Sequence, residues 1–363
     1  MVTRGAVQAR LGDHLDFSSG GGSPARGPAG RYPVYGANGA IGYAAEHNAR
    51  GPLIVLGRVG SYCGSVRYCG SDVWVTGNAL VCRAKQPAET RYWYYALQTC
   101  GLHEHRSGSG QPLLNHKILR EVPVWTVAAA QRRRIAELLG AFDDKIAVNE
   151  RVIEAAEALM IAIAESVTQC VPLAVLAGRA TAVRETGEFD DVIALYSLPA
   201  FDDGATPRVV RAAAVRSAKV ALSQPCVLFG KLNPRITRIW NVVHLPTEMA
   251  LASTEFVVLT PLDVDTSALW SAVRQRRVSE TLRRCVAGTS GSHQRIQPRD
   301  LLEIRVPDVR RLSAGAAATI TGLGELCHAR RAENVRLAAL RDALLPLLMS
   351  GQGWAWRRAS SPD

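Results

Sequence analysis

Residues 128–166 carry hydrophobic positions that recur at alternating steps of four and three, the repeat of a coiled coil. The repeat comprises Ile135, Leu139, Phe142, Ile146, Asn149, Ile153, Ala156, Met160 and Ile163. It predicts one helix of about 35 residues, roughly 50 Å long at 1.5 Å per residue. Helices inside globular domains are usually much shorter, so this one is expected to serve as a spacer.

A second repeat of the same kind nearly superimposes on the first after a shift of 181 residues, which aligns Leu139 with Ile320. Its positions are Ile320, Leu323, Cys327, Arg330, Asn334, Leu337, Arg341, Leu344 and Leu348. Asn149 and Asn334 are polar positions of the two repeats, and such positions cost stability but fix the register of a helix pair. Two long helices with apolar seams in one chain predict an antiparallel coiled coil.

The segments before the two helices also resemble each other. SGSGQPLLNHKILREVPVW precedes the first helix and GTSGSHQRIQPRDLLEIRVP precedes the second, while PLIVLGRVGS is echoed by PCVLFGKLNP. We therefore predict an α+β fold with an internal pseudo-two-fold repeat, in which two β-rich domains are separated by the long helices. The predicted segments are a β-rich domain at 1–125, a helix at 126–168, a second β-rich domain at 169–308, a helix at 309–350 and a tail at 351–363.

The glycine-rich stretch YPVYGANGAIGY invites comparison with a nucleotide-binding loop. Its glycines, Gly36, Gly39 and Gly42, match neither the dinucleotide nor the P-loop spacing. A short buried strand, Leu53–Leu56, follows between glycines and a proline, and no helix opens there. The stretch therefore predicts β-turns and not a phosphate site.

Composition favours a globular, cytoplasmic protein of about two domains. The 363 residues are 47% hydrophobic, without an apolar run long enough for a membrane span. The eight cysteines form neither a C-x-x-C pair nor a compact framework, so we expect them reduced and buried. His103 and His105 lack a third ligand nearby, and we predict no metal site.

The net charge is +11, and only five of the 43 basic residues are Lys. Arginine makes planar bidentate contacts to phosphates and guanine edges, so this bias suits a nucleic-acid partner. A GC-rich genome would produce the same bias, and the charge alone leaves both explanations open.

The chain resembles the specificity subunit of type I restriction–modification systems over nearly its whole length. The residues that carry the resemblance are LGDHLDFSSGGG, YPVYGANGAIGY, IVLGRVGSYCGSV, the run from LNHKILREVPVW through NERVIEAAEAL, and LRDALLPLLMSGQ. The helix of the central run and the C-terminal LRDALLPLLMSG are the most specific of these.

The resemblance implies that the β-rich domains are target recognition domains, each reading one half of a two-part sequence in double-stranded DNA. The long helices would dock two modification (adenine methyltransferase) subunits, which restriction (translocase and endonuclease) subunits would join. S-adenosylmethionine and ATP would belong to those partners, and this chain would bind no cofactor. The second domain lacks a counterpart of YPVYGANGAIGY, so we expect an asymmetric target.

Candidate DNA contacts are polar and basic residues in loops at equivalent places of the repeat. In the first domain they are Arg58, Ser61, Arg106, Ser107, Ser109, Asn115, His116 and Lys117. In the second they are Lys231, Asn233, Arg235, Arg238, Ser292, His293, Gln294 and Arg295. On the helices, Asp143, Asp144 and Glu150 are expected to pair with Arg330, Arg331 and Arg336.

Two other functions compete with a non-catalytic DNA reader. An unrecognised methyltransferase or nuclease would need catalytic motifs. Asn233-Pro234 is followed by Arg, and the sequence contains no N-P-P-[YF], F-x-G-x-G or Walker A motif. Its D-x-K tripeptide, Asp143-Asp144-Lys145, lies within the predicted long helix and not in a nuclease cluster. The alternative is an interaction scaffold, or an inactive spare copy of a specificity subunit, that keeps the helices without reading DNA.

Overall fold

The computed structural model of the chain describes residues 7–27, 29–106, 113–233, 236–286 and 295–350. The chain forms two compact units. One comprises Met1–Asp144 with Leu337–Asp363, and the other comprises Lys145–Arg336. Each unit thus combines a β-rich domain with part of both long helices.

The first unit contains three sheets and the beginning of the first long helix. Its strands are β1 (Val7–Arg10), β2 (Leu15–Ser19), β3 (Tyr32–Gly36), β4 (Gly39–Ala44), β5 (Leu53–Gly57), β6 (Val66–Cys69), β7 (Trp74–Val75), β8 (Ala79–Ala84) and β9 (Pro123–Thr126). Its helices are α1 (Leu11–His14), α2 (Thr90–Thr99), α3 (His116–Glu121) and the part of α4 (Ala129–Glu165) that ends at Asp144.

The sheets of the first unit have the orders β2-β8-β5-β6, β4-β3-β7 and β1-β9. Every residue of β5 is buried, as the apolar run predicted. Tyr92 and Trp93 of α2 pack in one core with Ile135 and Leu139 of α4. The aromatic face of α2 therefore joins the four-stranded sheet to the long helix.

The glycine-rich stretch is the hairpin of β3 and β4, which pair in antiparallel orientation. Gly39 begins β4 with a φ of 98°, a conformation that glycine adopts without strain. The prediction of a turn in place of a phosphate loop is confirmed.

The second unit repeats this plan with additional strands. They are β10 (Cys170–Pro172), β11 (Ala177–Ala180), β12 (Val183–Arg184), β13 (Val192–Tyr196), β14 (Arg208–Arg211), β15 (Lys219–Ala221), β16 (Cys226–Gly230), β17 (Ile239–Val242), β18 (Met249–Ser253), β19 (Phe256–Pro261) and β20 (Arg305–Pro307). The helices are α5 (Leu198–Asp202), α6 (Thr266–Val273), α7 (Arg276–Val286), α8 (Pro298–Glu303) and the part of α9 (Ala314–Met349) that ends at Arg336.

The second unit also contains a four-stranded sheet, of order β11-β19-β16-β17. Its strands pair in the same register as those of the first unit. In the first unit Leu56 pairs with Leu80 and Val66. At the equivalent position of the second unit Phe229 pairs with Val257 and Ile239. Here the five-stranded sheet β12-β15-β18-β13-β14 takes the chain position of the β3–β4 hairpin.

The two β-rich domains also close in the same way. The amide of Leu11 donates to the carbonyl of Val122 over 3.0 Å, and the amide of Leu173 donates to that of Ile304 over 2.8 Å. In both units the first strand pairs with the last strand of the domain, β1 with β9 and β10 with β20. The predicted internal repeat is confirmed.

The long helices, α4 of 37 residues and α9 of 36 residues, run antiparallel. In the second unit Asn149 Nδ2 donates to Asn334 Oδ1 over 2.8 Å, whereas further along α4 Glu157 pairs with Arg331. In the first unit Asp143 pairs with Arg341 over 2.6 Å. Because the α9 partner moves backwards as α4 advances, the predicted antiparallel pair is confirmed.

The apolar and asparagine positions of the predicted coiled coil are shielded from solvent within the two units. Ile135, Leu139, Asn149, Ile153, Ala156, Met160, Ile320, Cys327 and Leu348 are buried. Phe142, Ile146, Ile163, Leu323, Asn334, Leu337 and Leu344 are half-buried. The side chains of both repeats are thus at least partly shielded from solvent over most of their length.

The expected partners of the charged helix residues were wrong. Asp143 pairs with Arg341, and Asp144 pairs with Arg91 of α2 over 2.8 Å. Arg330 bonds to Glu333 on its own helix over 2.6 Å. The register that the buried Asn149–Asn334 contact sets brings these groups together, and spacing along each helix did not reveal it.

Candidate nucleic-acid interface

Arg58, directly after β5, lies between two other loops of the first unit. Its amide donates to the carbonyl of Asn78 over 3.0 Å, and its carbonyl accepts from the amide of Leu114 over 3.0 Å. Val59 forms a β-bridge with Leu113. The GRVGS loop is thus fixed between the β7–β8 turn and the segment that leads into α3.

Lys231, directly after β16, makes the same bonds in the second unit. Its amide donates to the carbonyl of Glu255 over 2.8 Å, and its carbonyl accepts from the amide of Ile296 over 3.1 Å. Leu232 forms a β-bridge with Arg295. Arg58 and Lys231 are therefore structural equivalents, each placed by the backbone at one end of a four-stranded sheet.

The side chain of Arg58 is half-buried and only weakly held. Nη1 is 3.5 Å from Ser19 Oγ, at the limit of a hydrogen bond. Nε is buried and has no hydrogen-bond partner among the described residues. No described carboxylate forms an ion pair with this guanidinium, so its charge is available to a ligand.

Lys231 belongs to a group of three cations around one carboxylate. Arg295 Nη2 lies 2.8 Å from Glu255 Oε1. Burial lowers the pKa of Lys231; Glu255 opposes that shift, and the charges of Arg179 and Arg295 add to it. Three cations against one anion leave this group, the Lys231 cluster, with a positive charge that a phosphate would neutralise.

The other predicted residues of the first unit differ in availability. Asn115 caps α3, because its Oδ1 accepts from the amide of Ile118 over 2.9 Å. His116 Nδ1 is buried and has no partner among the described residues. Ser61, Arg106 and Lys117 are exposed, and Arg106 Nε donates to the carbonyl of His103.

In the second unit the side chain of Asn233 is exposed, whereas that of Arg238 is paired with a carboxylate. Asn233 is exposed in the left-handed region, with a φ of 53°. Arg238 forms a bidentate pair with Asp202, with both N–O distances at 2.7 Å. Its side chain is 14% exposed, which is typical of a structural ion pair. Ser107, Ser109, Arg235, Ser292, His293 and Gln294 lie outside the described residues.

Sequence reasoning missed two basic residues at this interface. Arg179 of β11 acts on Lys231, although 52 positions separate them in the sequence. Arg299 of α8 occupies the place of Lys117 in α3, since α3 and α8 precede the equivalent closing carbonyls of Val122 and Ile304. Aligning NHKILREVP with QPRDLLEIRVP would have revealed Arg299.

Four tryptophans of the two units pack in cores or in turns. Trp93 and Trp240 are buried, and Trp270 Nε1 donates to the carbonyl of Ile239 over 2.9 Å. Trp74 Nε1 donates to the carbonyl of Gly22 over 2.9 Å. These contacts place the indole rings of Trp74, Trp93, Trp240 and Trp270 in cores or in turns.

Among the residues that the structure describes, the candidate interface contains no arrangement typical of metal or thiol chemistry. Across the described ranges, no three His, Cys, Asp or Glu side chains come together as a metal site would require. Burial raises the pKa of Cys69 and Cys327 to about 11 each, so both thiols stay protonated at neutral pH. In the same part of the chain, no helix combines the length and hydropathy of a membrane span.

Comparison with known proteins also indicates a domain that determines DNA specificity. Residues 10–158 match the family model described as type I restriction modification DNA specificity domain. The type I restriction enzyme EcoprrI specificity subunit of Escherichia coli is 29% identical over 112 residues, which are 31% of this chain and 28% of that subunit.

The fold has a counterpart among solved structures. The S subunit of a type I restriction-modification system from M. genitalium superposes with a TM-score of 0.60 at 15% identity, covering 95% of this chain and 96% of that one. The likeness in fold extends over both units, and the sequence match falls on the first β-rich domain with α4. Residues 10–158 of the chain thus match the type I restriction–modification DNA specificity domain.

Proposed function

We propose that the chain is a non-catalytic subunit that reads a bipartite, asymmetric DNA target with its two β-rich domains. The observation that carries this proposal is the equivalence of Arg58 and Lys231. Each is placed by the same two backbone hydrogen bonds at the end of a four-stranded sheet. A cation at the same place in both units is what two readers of one duplex require.

The differences between the units support an asymmetric target. Arg58 stands beside Ser19, whereas Lys231 stands among Arg179, Arg295 and Glu255. Donors and acceptors at base edges differ between base pairs, so loops of different chemistry select different half-sites. The five-stranded sheet of the second unit adds a further difference.

The long helices would dock two modification subunits, and restriction subunits would join that core. Leu138, Leu159, Leu340 and Leu347 on α4 and α9 are 45–54% exposed, although leucine normally favours the core. Exposed apolar side chains on helices favour protein contacts. S-adenosylmethionine and ATP would then be bound by the partners and not by this chain.

The test is co-expression with an adenine methyltransferase encoded beside this gene, followed by sequencing of host DNA for N6-methyladenine. The host with the methyltransferase alone is the control. We expect one split motif with two unlike half-sites. A palindromic motif would contradict the asymmetry, and a stable complex that methylates nothing would favour the scaffold instead.

A further inference from the structure

The second unit contains a basic helix, α7, that lies outside the sequence-predicted interface. Val278 and Leu282 are buried on one side of it. Arg276, Arg277, Arg283 and Arg284 are exposed on the other and are called the arginine face below. The segment RRVSETLRR thus places four guanidinium groups within three turns of helix.

Little of this charge is neutralised by the protein. Glu280 is the sole carboxylate of the helix and bonds to Arg276 over 2.8 Å. Among the described residues, Arg277, Arg283 and Arg284 form no ion pair. Arg276, Glu280, Arg283 and Arg284 are spaced by three and four residues and therefore share one side of the helix. The pKa of Glu280 is lowered by Arg276 and by the charges of Arg284 and Arg283.

The positions of the arginines are poorly explained by helix stability. Cations favour the last turn of a helix, which accounts for Arg283 and Arg284. Arg276 and Arg277 lie in the first turn, where the helix dipole opposes positive charge. A ligand that carries negative charge would offset this cost.

The place of α7 in the fold connects it with the Lys231 cluster. Val278 and Leu282 share a hydrophobic core with Ile296, whose amide donates to the carbonyl of Lys231. In the first unit the corresponding place, after α2, holds a single 3₁₀ turn, Leu102–His105. That turn packs against Gly64, three residues after the GRVGS loop, since a Cβ on Gly64 would lie 3.3 Å from the amide nitrogen of His103.

We propose that the arginine face binds the phosphate backbone of duplex DNA beside the half-site that the second unit reads. This inference rests on the function proposed above. Guanidinium groups bind phosphate oxygens in bidentate fashion without regard to base sequence. The second unit therefore holds DNA by an additional non-specific contact for which the short turn of the first unit has no equivalent.

The test compares the full chain with R276Q/R277Q/R283Q/R284Q, each in complex with the modification subunit. Binding to the mapped target and to a scrambled duplex is measured over a series of KCl concentrations. We expect the variant to lose affinity for both duplexes by the same factor. The slope of log affinity against log salt should fall by about 0.9 for each phosphate that the variant no longer neutralises.

Three double variants show which arginines cause the loss of DNA affinity. R276Q/R277Q and R283Q/R284Q each remove half of the arginine face. The control variant R184Q/R211Q removes two charges from β12 and β14, the same number that each of the other double variants removes from α7. It should leave the slope of log affinity against log salt nearly unchanged. Circular dichroism and methylation at low salt show whether each variant is folded.

The outcomes separate this inference from the proposed function. If the unmodified complex does not prefer the mapped target, the proposed function fails. If it does and the quadruple variant retains the slope, the arginine face does not bind DNA. Loss of the modification subunit from that variant would show a protein contact instead, and an equal effect of the control would reduce the result to net charge.

Discussion

Arg58 and Lys231 show how the backbone can fix a cation while leaving its side chain free. Both residues follow a buried strand whose last residue is glycine, and both main chains are bonded on either side. Arg238 has equal charge but is bound by Asp202 through two bonds of 2.7 Å. We therefore expect the absence of a carboxylate partner to predict DNA contacts better than the number of arginines in a loop.

At this scale we predict that Arg58→Gln and Lys231→Gln each weaken DNA binding by about tenfold, about 1.4 kcal/mol. Loss of Arg58 should act on duplexes that retain the first half-site, and loss of Lys231 on duplexes that retain the second. Fluorescence anisotropy with half-site duplexes measures both effects.

Lys85→Gln is the matched control for this pair of substitutions. Lys85 directly follows β8, whereas Asn78 directly precedes it, so the two residues lie at opposite ends of that strand. Lys85 Nζ donates to the carbonyl of Gly12 over 2.7 Å. Its substitution should leave affinity within about twofold, a small change in binding free energy. Equal losses from all three substitutions would contradict specific roles for Arg58 and Lys231.

Among the elements, the helix pair combines apolar packing with one buried polar contact. Asn149 is 1% exposed, and its amide nitrogen is shared between Asn334 Oδ1 and Glu333 Oε2 at 2.8 and 3.0 Å. A buried amide stabilises little by itself, but other registers would leave it without a partner. The contact therefore selects one antiparallel alignment of α4 and α9.

We predict that Asn149→Ala lowers the free energy of unfolding by about 1–3 kcal/mol, because it leaves Asn334 Oδ1 without its donor. The double variant Asn149→Leu with Asn334→Leu should be close to neutral, because both polar groups are removed together. Urea unfolding measures the difference.

The double variant should also lose its single register, which cysteine pairs placed along α4 and α9 would detect by crosslinking. Ser166→Ala, an exposed change at the end of α4, is the control. A double variant as destabilised as the single one would show that Asn149 acts through packing and not through the hydrogen bond.

For the whole molecule, the repeat supplies two domains with equivalent boundaries. Each domain begins and ends at a backbone hydrogen bond, Leu11 to Val122 in one and Leu173 to Ile304 in the other. The unlike parts lie between these points, in the β3–β4 hairpin and in the five-stranded sheet. We therefore expect a domain to be exchangeable at these points with its closing strands unchanged.

We predict that a chain whose residues 173–304 are replaced by a copy of residues 11–122 directs methylation to a motif with two copies of the first half-site. Methylome sequencing beside the unmodified chain provides the comparison. A motif identical to that of the unmodified chain would overturn the assignment of one half-site to each domain.

The sequence by itself determined the elements whose signals are local. Periodicity predicted α4 and α9, the glycine-rich stretch predicted β-turns, and repeated segments predicted two equivalent domains, because helix and turn preferences act over a few residues. Corresponding segments of the repeat, such as GRVGS and GKLNP, also placed Arg58 and Lys231 in equivalent loops.

Only the tertiary structure decided which charges are free and which neighbours they have. Arg238 is held by Asp202 and Lys231 stands beside Arg179, and both relations join residues far apart in the sequence. The ion pairs of α4 and α9 likewise depend on register. Charges interact through distance in space, so their partners follow from the packing of strands and helices that the hydrophobic core imposes.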